Sequence, residues 1–168
     1  MTLFETKRAL ENMRVIKSLF FILSLIFCAS CNAQSVATLK IQSSNASIQI
    51  KRVHIHAFLA EYDRYVILTI SGKSVAEVQI STDTGGYSRA NVFSTNSNST
   101  FVIQDRMGRY EVNIERQEIK KIDDDCENPK NSTFIGAFDI DESKKWQFLS
   151  ASKRKQIPML ISGCANEI

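Results

Sequence analysis

From about residue 36 onward, short segments rich in Val, Ile, Phe and Tyr recur between clusters of Gly, Ser, Asn and Asp. Short apolar-rich runs separated at this interval by turn residues are the pattern of an all-β sandwich or barrel. The runs predict strands over residues 38–42, 47–58, 65–70, 75–80, 87–93, 101–104, 110–114, 118–122, 134–140 and 145–149. Alternation is clearest where Arg52, His54 and His56 interleave with Val53, Ile55 and Ala57. Read by itself, that hexapeptide predicts a half-buried strand with the apolar set inward and the polar set wet. Residues 65–68 are apolar without interruption, as in a strand covered on both faces.

Turns are equally legible. Ser71-Gly72-Lys73 separates two runs at hairpin distance, Gly85-Gly86 follows Asp83, and residues 105–109 contain Gly108 between two further runs. Glycine supplies the positive φ that tight turns need. Residues 94–100, rich in Ser and Asn, read as a surface loop or hairpin tip, and residues 150–156 as one short helix capped by Ser150 or Ser152 and ended before Pro158. Successive hairpins make an antiparallel meander the economical topology. The expectation is a single antiparallel β-domain over residues 34–168, with sandwich and barrel both open.

The first 33 residues follow a different pattern. Arg14 and Lys17 precede an apolar run at residues 18–27, and small and polar residues follow at 28–34. This is the three-part layout of a secretory signal peptide. A membrane-spanning helix needs about 20 apolar residues, and this run offers 10. The twelve residues before Met13 are charged and ill-suited to lead a signal, so translation is expected to start at Met13.

Within the segment, Cys28-Ala29-Ser30-Cys31 resembles the lipobox of bacterial lipoproteins, in which small residues precede an invariant cysteine. Ala29 and Ser30 match, while Cys28 stands where the family has an aliphatic residue. The resemblance implies that Cys31 becomes the lipidated first residue of a chain anchored to a membrane of the bacterial envelope. The competing cut, after Ala33, leaves a soluble periplasmic protein beginning at Gln34.

Removing this segment changes the charge. The full chain has 21 Lys plus Arg and 18 Asp plus Glu; residues 1–30 hold four and two of these, leaving 17 and 16, a net of +1. No electrostatic footprint for nucleic acid remains. Of the four cysteines only Cys126 and Cys164 stay in the exported domain, and an even pair in an oxidising compartment reads as a disulfide.

Candidate chemistry is sparse. His54 and His56, spaced i, i+2 on a strand, place two imidazoles on one face, yet a metal site needs a third ligand and none is signalled nearby, although Glu61 and Asp63 stand in the following turn. Asp83-Thr84-Gly85 resembles the catalytic triplet of aspartic proteases, and Phe134-Ile135-Gly136 the apolar-apolar-Gly element of retropepsin-like domains. The resemblance implies paired Asp83 carboxylates in a dimer, although Ser81 and Thr82 stand where that family has apolar residues. The acidic groups at 123–125 and at Asp139, Asp141 and Glu142 offer oxygen ligands without the ladder of an EF-hand. Gly-x-Ser-x-Gly and phosphate-cradling glycine loops are absent. Asn45, Asn98 and Asn131 each open an Asn-x-Ser/Thr sequon, the only hint of a secreted eukaryotic domain.

Trp146 and Phe148, two apart on a strand, are expected to fill the core or, if exposed, to anchor a binding surface. The resulting expectation is an envelope-attached, non-enzymatic binding module with no cofactor or metal, acting on a protein partner that it neutralises or sequesters. The alternative is a small periplasmic hydrolase using Asp83 or the His54/His56 pair.

Overall fold

The computed structural model describes residues 34–56, 58–84, 89–122 and 131–158. They form β1 (Gln34–Ile41), β2 (Ala46–His54), β3 (Tyr62–Ile70), β4 (Lys73–Gln79), β5 (Ala90–Thr95), β6 (Thr100–Asp105), β7 (Gly108–Asn113), β8 (Glu118–Ile122), β9 (Ser132–Ile140) and β10 (Trp146–Ser150). Every run predicted as a strand overlaps one of these. The strands make two antiparallel sheets, one ordered β1-β2-β3-β4 and the other β10-β9-β5-β6-β7-β8. They pack face to face as a β-sandwich, with β1 beside β10 along one edge and β4 beside β8 along the other.

The first sheet is a simple meander, and so is β5 through β8. The second sheet then departs from the expected meander: β9 returns to pair with β5, and β10 adds outside it. This buries β5 on both faces, which suits its sequence. Ala90 and Val92 face the interior, while Asn91 and Phe93 on the opposite face are also buried.

Between the sheets lie Ile48 and Ile50 of β2, Val66 and Leu68 of β3, Val92, Ile103 and Val112 from the facing sheet, and Phe138 of β9, all fully buried. Phe138 is the aromatic centre, 5.4 Å from the Phe148 ring edge-on and 6.5 Å from Trp146 in a stacked arrangement. Burying one such side chain stabilises the fold by about 1.5–3 kcal/mol.

Two local devices set the geometry. Ser71 and Gly72, both at positive φ (50° and 78°), form the two-residue hairpin between β3 and β4, the combination that matches strand twist. In β9 the pairing with β5 skips Ile135, a bulge at which Gly136 adopts φ 152°. A Cβ at Gly136 would stand 2.3 Å from the Leu149 carbonyl oxygen and 2.6 Å from the Phe148 ring, so no other residue fits.

The expected helix over 150–156 is not formed. Lys153 N–H and Arg154 N–H both donate to the Ser150 carbonyl at 2.9 Å, one turn that is not continued. Beyond that turn the chain runs along the sheet, held by Arg89, which precedes β5 and donates to Lys155 O, and by Asn91 of β5, which donates to Ile157 O at 2.9 Å. Residues 155–157 are thereby held against the outside of the second sheet.

The phase expected for residues 52–57 is also reversed where the strand forms, at residues 52–54. In β2 the buried positions are Ala46, Ile48, Ile50 and Arg52, so Arg52 faces inward and Val53 does not. The i, i+2 register begun six residues earlier outweighs the local hexapeptide, because one face of the whole strand must meet the facing sheet.

Candidate functional site

Continuing the inward face of β2 and β3 past the aliphatic core places two arginines directly opposite one another, Arg52 and Arg64. Like charges so placed repel, and both are buried, at 6% and 3% exposed. Two buried aspartates answer them. Asp105, at the end of β6, crosses the sandwich to accept a 2.7 Å bond from Arg64 Nη2, a second of 2.7 Å from Ser81 Oγ, and a third of 2.8 Å from Met107 N–H. Arg64 Nε donates to Ser81 O at 3.0 Å and Nη2 also to Ser81 Oγ, so this half of the cluster is saturated with short, charge-assisted bonds.

Arg52 is held differently. Its Nη2 lies 3.7 Å from Asp83 Oδ2, beyond hydrogen-bond length, and Nε has no hydrogen-bond partner. The guanidinium instead lies over the rings of Tyr62, at 3.9 Å, and Trp146, at 4.8 Å. Desolvated cation–π contacts of this kind contribute about 2 kcal/mol. Burial pushes its pKa below the ordinary arginine value, Tyr62 and Asp83 push it back up, and Arg64 lowers it again. Asp83 is fixed from behind by a two-way backbone bridge to Tyr62, with N–H···O distances of 2.8 and 2.9 Å.

Above this cluster the connection from β2 to β3 projects from the end of the sandwich. Its neck is closed by Ile55 N–H donating to Glu61 O at 3.1 Å. His54 Nε2 donates to the Leu59 carbonyl at 2.7 Å, and His56 Nδ1 accepts the N–H groups of Phe58 and Leu59 at 3.3 Å each. Both imidazoles thus shape the loop, and what the loop presents is apolar: Phe58 is 92% exposed, Leu59 51% and Ile55 48%.

The expected site residues fall as follows. β2 ends at His54, so His56 lies in the loop and the pair does not share a strand face. Asp83 sits under the loop against Arg52, whereas Gly136 belongs to the bulge in the other sheet. Asp139 pairs with Arg154 at 2.9 Å and Arg89 at 3.6 Å. Asp141 accepts from Lys145 N–H, Ser143 Oγ and Gln147 Nε2, so both carboxylates are occupied by internal donors. Among the described residues no three His, Cys, Asp or Glu side chains come together as metal ligands.

Trp146 is buried at 9% exposed and donates Nε1–H to Ile50 O at 3.1 Å, while Phe148 is half-buried against Phe138 and Gly136. Both face the sandwich interior; Trp146 acts as a wall of the Arg52 pocket and is not presented to solvent. Cys31, Cys126 and Cys164 lie outside the described residues, as do residues 123–125, 85 and 86.

Sequence reasoning missed Arg52, Arg64 and Asp105 as a unit. The signal was present in β2, where extending the Ala46-Ile48-Ile50 phase by one step points Arg52 inward. Asp105 carried no such signal, because its partner lies 41 residues away in the other sheet. Comparison with known protein families, with curated protein sequences and with solved structures returns no match.

Proposed function

We propose that this chain is an exported lipoprotein of the bacterial envelope, attached through Cys31, whose β-sandwich is a non-enzymatic binding module. The observation that carries this reading is the loop between β2 and β3, which holds Ile55, Phe58 and Leu59 out to solvent while both histidines secure its backbone. An exposed aromatic beside aliphatics on a braced loop has the composition of a contact hot spot. Asp83 and the histidines are engaged in holding this end of the fold, and the hydrolase alternative gains no support from their placement.

Photo-crosslinking in cells tests the reading. A photoreactive residue replacing Phe58 in the full chain should form an adduct with an envelope component. The same residue replacing Glu77, on exposed β4, serves as the control. Adducts at 58 that persist in Asp83→Asn support a binding module. Equal adducts at both positions, or none at 58, defeat it.

A further inference from the structure

The end of the sandwich that carries the apolar loop is also the end where the chain enters the domain. Gln34, the first residue of β1, stands directly opposite Val53, two residues before Ile55. Cys31 precedes Gln34 by three residues, which reach at most about 11 Å when fully extended. The β6–β7 and β9–β10 turns close the same end, as the Arg64–Asp105 pair and the Trp146–Ile50 bond across the sheets require. They carry two further exposed apolar side chains at this end, Met107 at 51% and Ile140 at 38%.

We propose that this end docks on the surface of the lipid bilayer, with Phe58 and Leu59 entering the boundary between headgroups and acyl chains beside the lipidated Cys31. The inference rests on the attachment reading given above and names the occupant of the same loop. A tether of about 11 Å confines this end near the membrane, so the loop meets lipid before any component in solution. The exposed charges on the neighbouring turns are of both signs, Glu142 against Arg106, Lys144 and Lys145, so the apolar tip carries the contact and anionic headgroups add to it.

The test uses the full chain, purified from bacterial envelopes in detergent and returned to phosphatidylcholine/phosphatidylglycerol vesicles with or without brominated acyl chains. The wild type has a single tryptophan, Trp146, buried in the sandwich, and its emission should not respond to bromine. Phe58→Trp should add a blue-shifted emission that loses most of its intensity in brominated vesicles; Leu59→Trp repeats the measurement should the first variant misfold. A vesicle-bound chain whose added tryptophan emits like an exposed indole, unquenched by bromine, overturns the inference and leaves attachment through Cys31 standing. So does a position-58 crosslink to protein in place of lipid. A wild-type chain recovered in the soluble fraction, or membrane-bound just as well after Cys31→Ser, removes the attachment reading and the inference with it.

Discussion

Replacing Asp105 by Asn is the sharpest probe of the charged cluster. The substitution keeps the shape of a side chain that is 1% exposed and removes only its charge. The carboxylate accepts from Arg64 at 2.7 Å, Ser81 at 2.7 Å and Met107 N–H at 2.8 Å. An amide has one oxygen to offer these donors and turns an NH2 group toward the rest. Arg64 then keeps its charge at 3% exposure without the Asp105 carboxylate, and Arg52 stands directly opposite it. Breaking a buried ion pair from one side costs about 3–5 kcal/mol, a large share of the roughly 5–15 kcal/mol by which domains are stable.

Urea unfolding of the full chain reads this directly. With an m-value of about 2 kcal/mol/M, a loss of about 4 kcal/mol lowers the midpoint by about 2 M. The double substitution Arg64→Met with Asp105→Leu should lose less than the single one, because replacing both charges leaves nothing buried and unpaired. What remains is the cost of depriving the part-buried Ser81 hydroxyl and Met107 N–H of their acceptor, below the roughly 1–3 kcal/mol of a fully buried unsatisfied group because water can reach both. A shift below about 1 kcal/mol for Asp105→Asn, outside the range for a broken buried pair, would refute the reasoning and show that water reaches the cluster.

Two further outcomes are expected. Gly136→Ala puts a methyl group 2.3 Å from a backbone carbonyl at positive φ, and should destabilise by about 3 kcal/mol from overpacking and backbone strain; thermal melting checks it. Asp141 should titrate below the ordinary aspartate range, chiefly because Lys145 N–H and then Ser143 donate to its carboxylate. A depressed folded pKa contributes stability that is present above the unfolded value of about 3.9 and is lost as pH falls through the folded value. Carboxyl-resolved NMR titration gives the midpoint, and a normal or raised one contradicts the bonding described.

Most of the fold was legible because each strand announces itself locally. Runs of Val, Ile, Phe and Tyr between turn residues need no knowledge of partners, and all of them overlap observed strands. What failed needed distant information. The phase over 52–57 looked settled within six residues, but the aliphatic positions of β2 that decide it lie at 46, 48 and 50. The helix over 150–156 has local capping and a following proline in its favour, yet Arg89 and Asn91, more than sixty residues earlier, claim the carbonyls of 155 and 157. The return of β9 to β5 has no local signature at all. Of the candidate site, the histidines were visible as residues while their role was not, since bonds to the backbone of 58 and 59 depend on how the loop closes.

The placement of polar groups at the loop-bearing end bears on what that end is for. A fold seeking stability alone would have no use for Phe58, whose exposure forgoes about 1.5–3 kcal/mol of burial, nor for two facing arginines in its interior. Here the two features are stacked. Arg64–Asp105 ties the first sheet to the second, Arg52 lies over Tyr62 and Trp146, and Asp83 bridges to Tyr62, immediately beneath the neck formed by Ile55 and Glu61. Apolar packing resists compression but specifies orientation weakly, whereas directional bonds fix the strand ends from which the loop rises. The histidines repeat the device one level up, bonding the loop backbone so that Phe58 and Leu59 point away from the domain. A brace of this kind keeps an apolar loop extended without collapse onto the core, and under the proposed binding role it would lower the ordering cost of contact. Among the described residues of this end, Arg64, Asp105, Asp83 and both imidazoles bond to one another or to the neighbouring backbone, and the loop tip that they support, Phe58 and Leu59, is apolar.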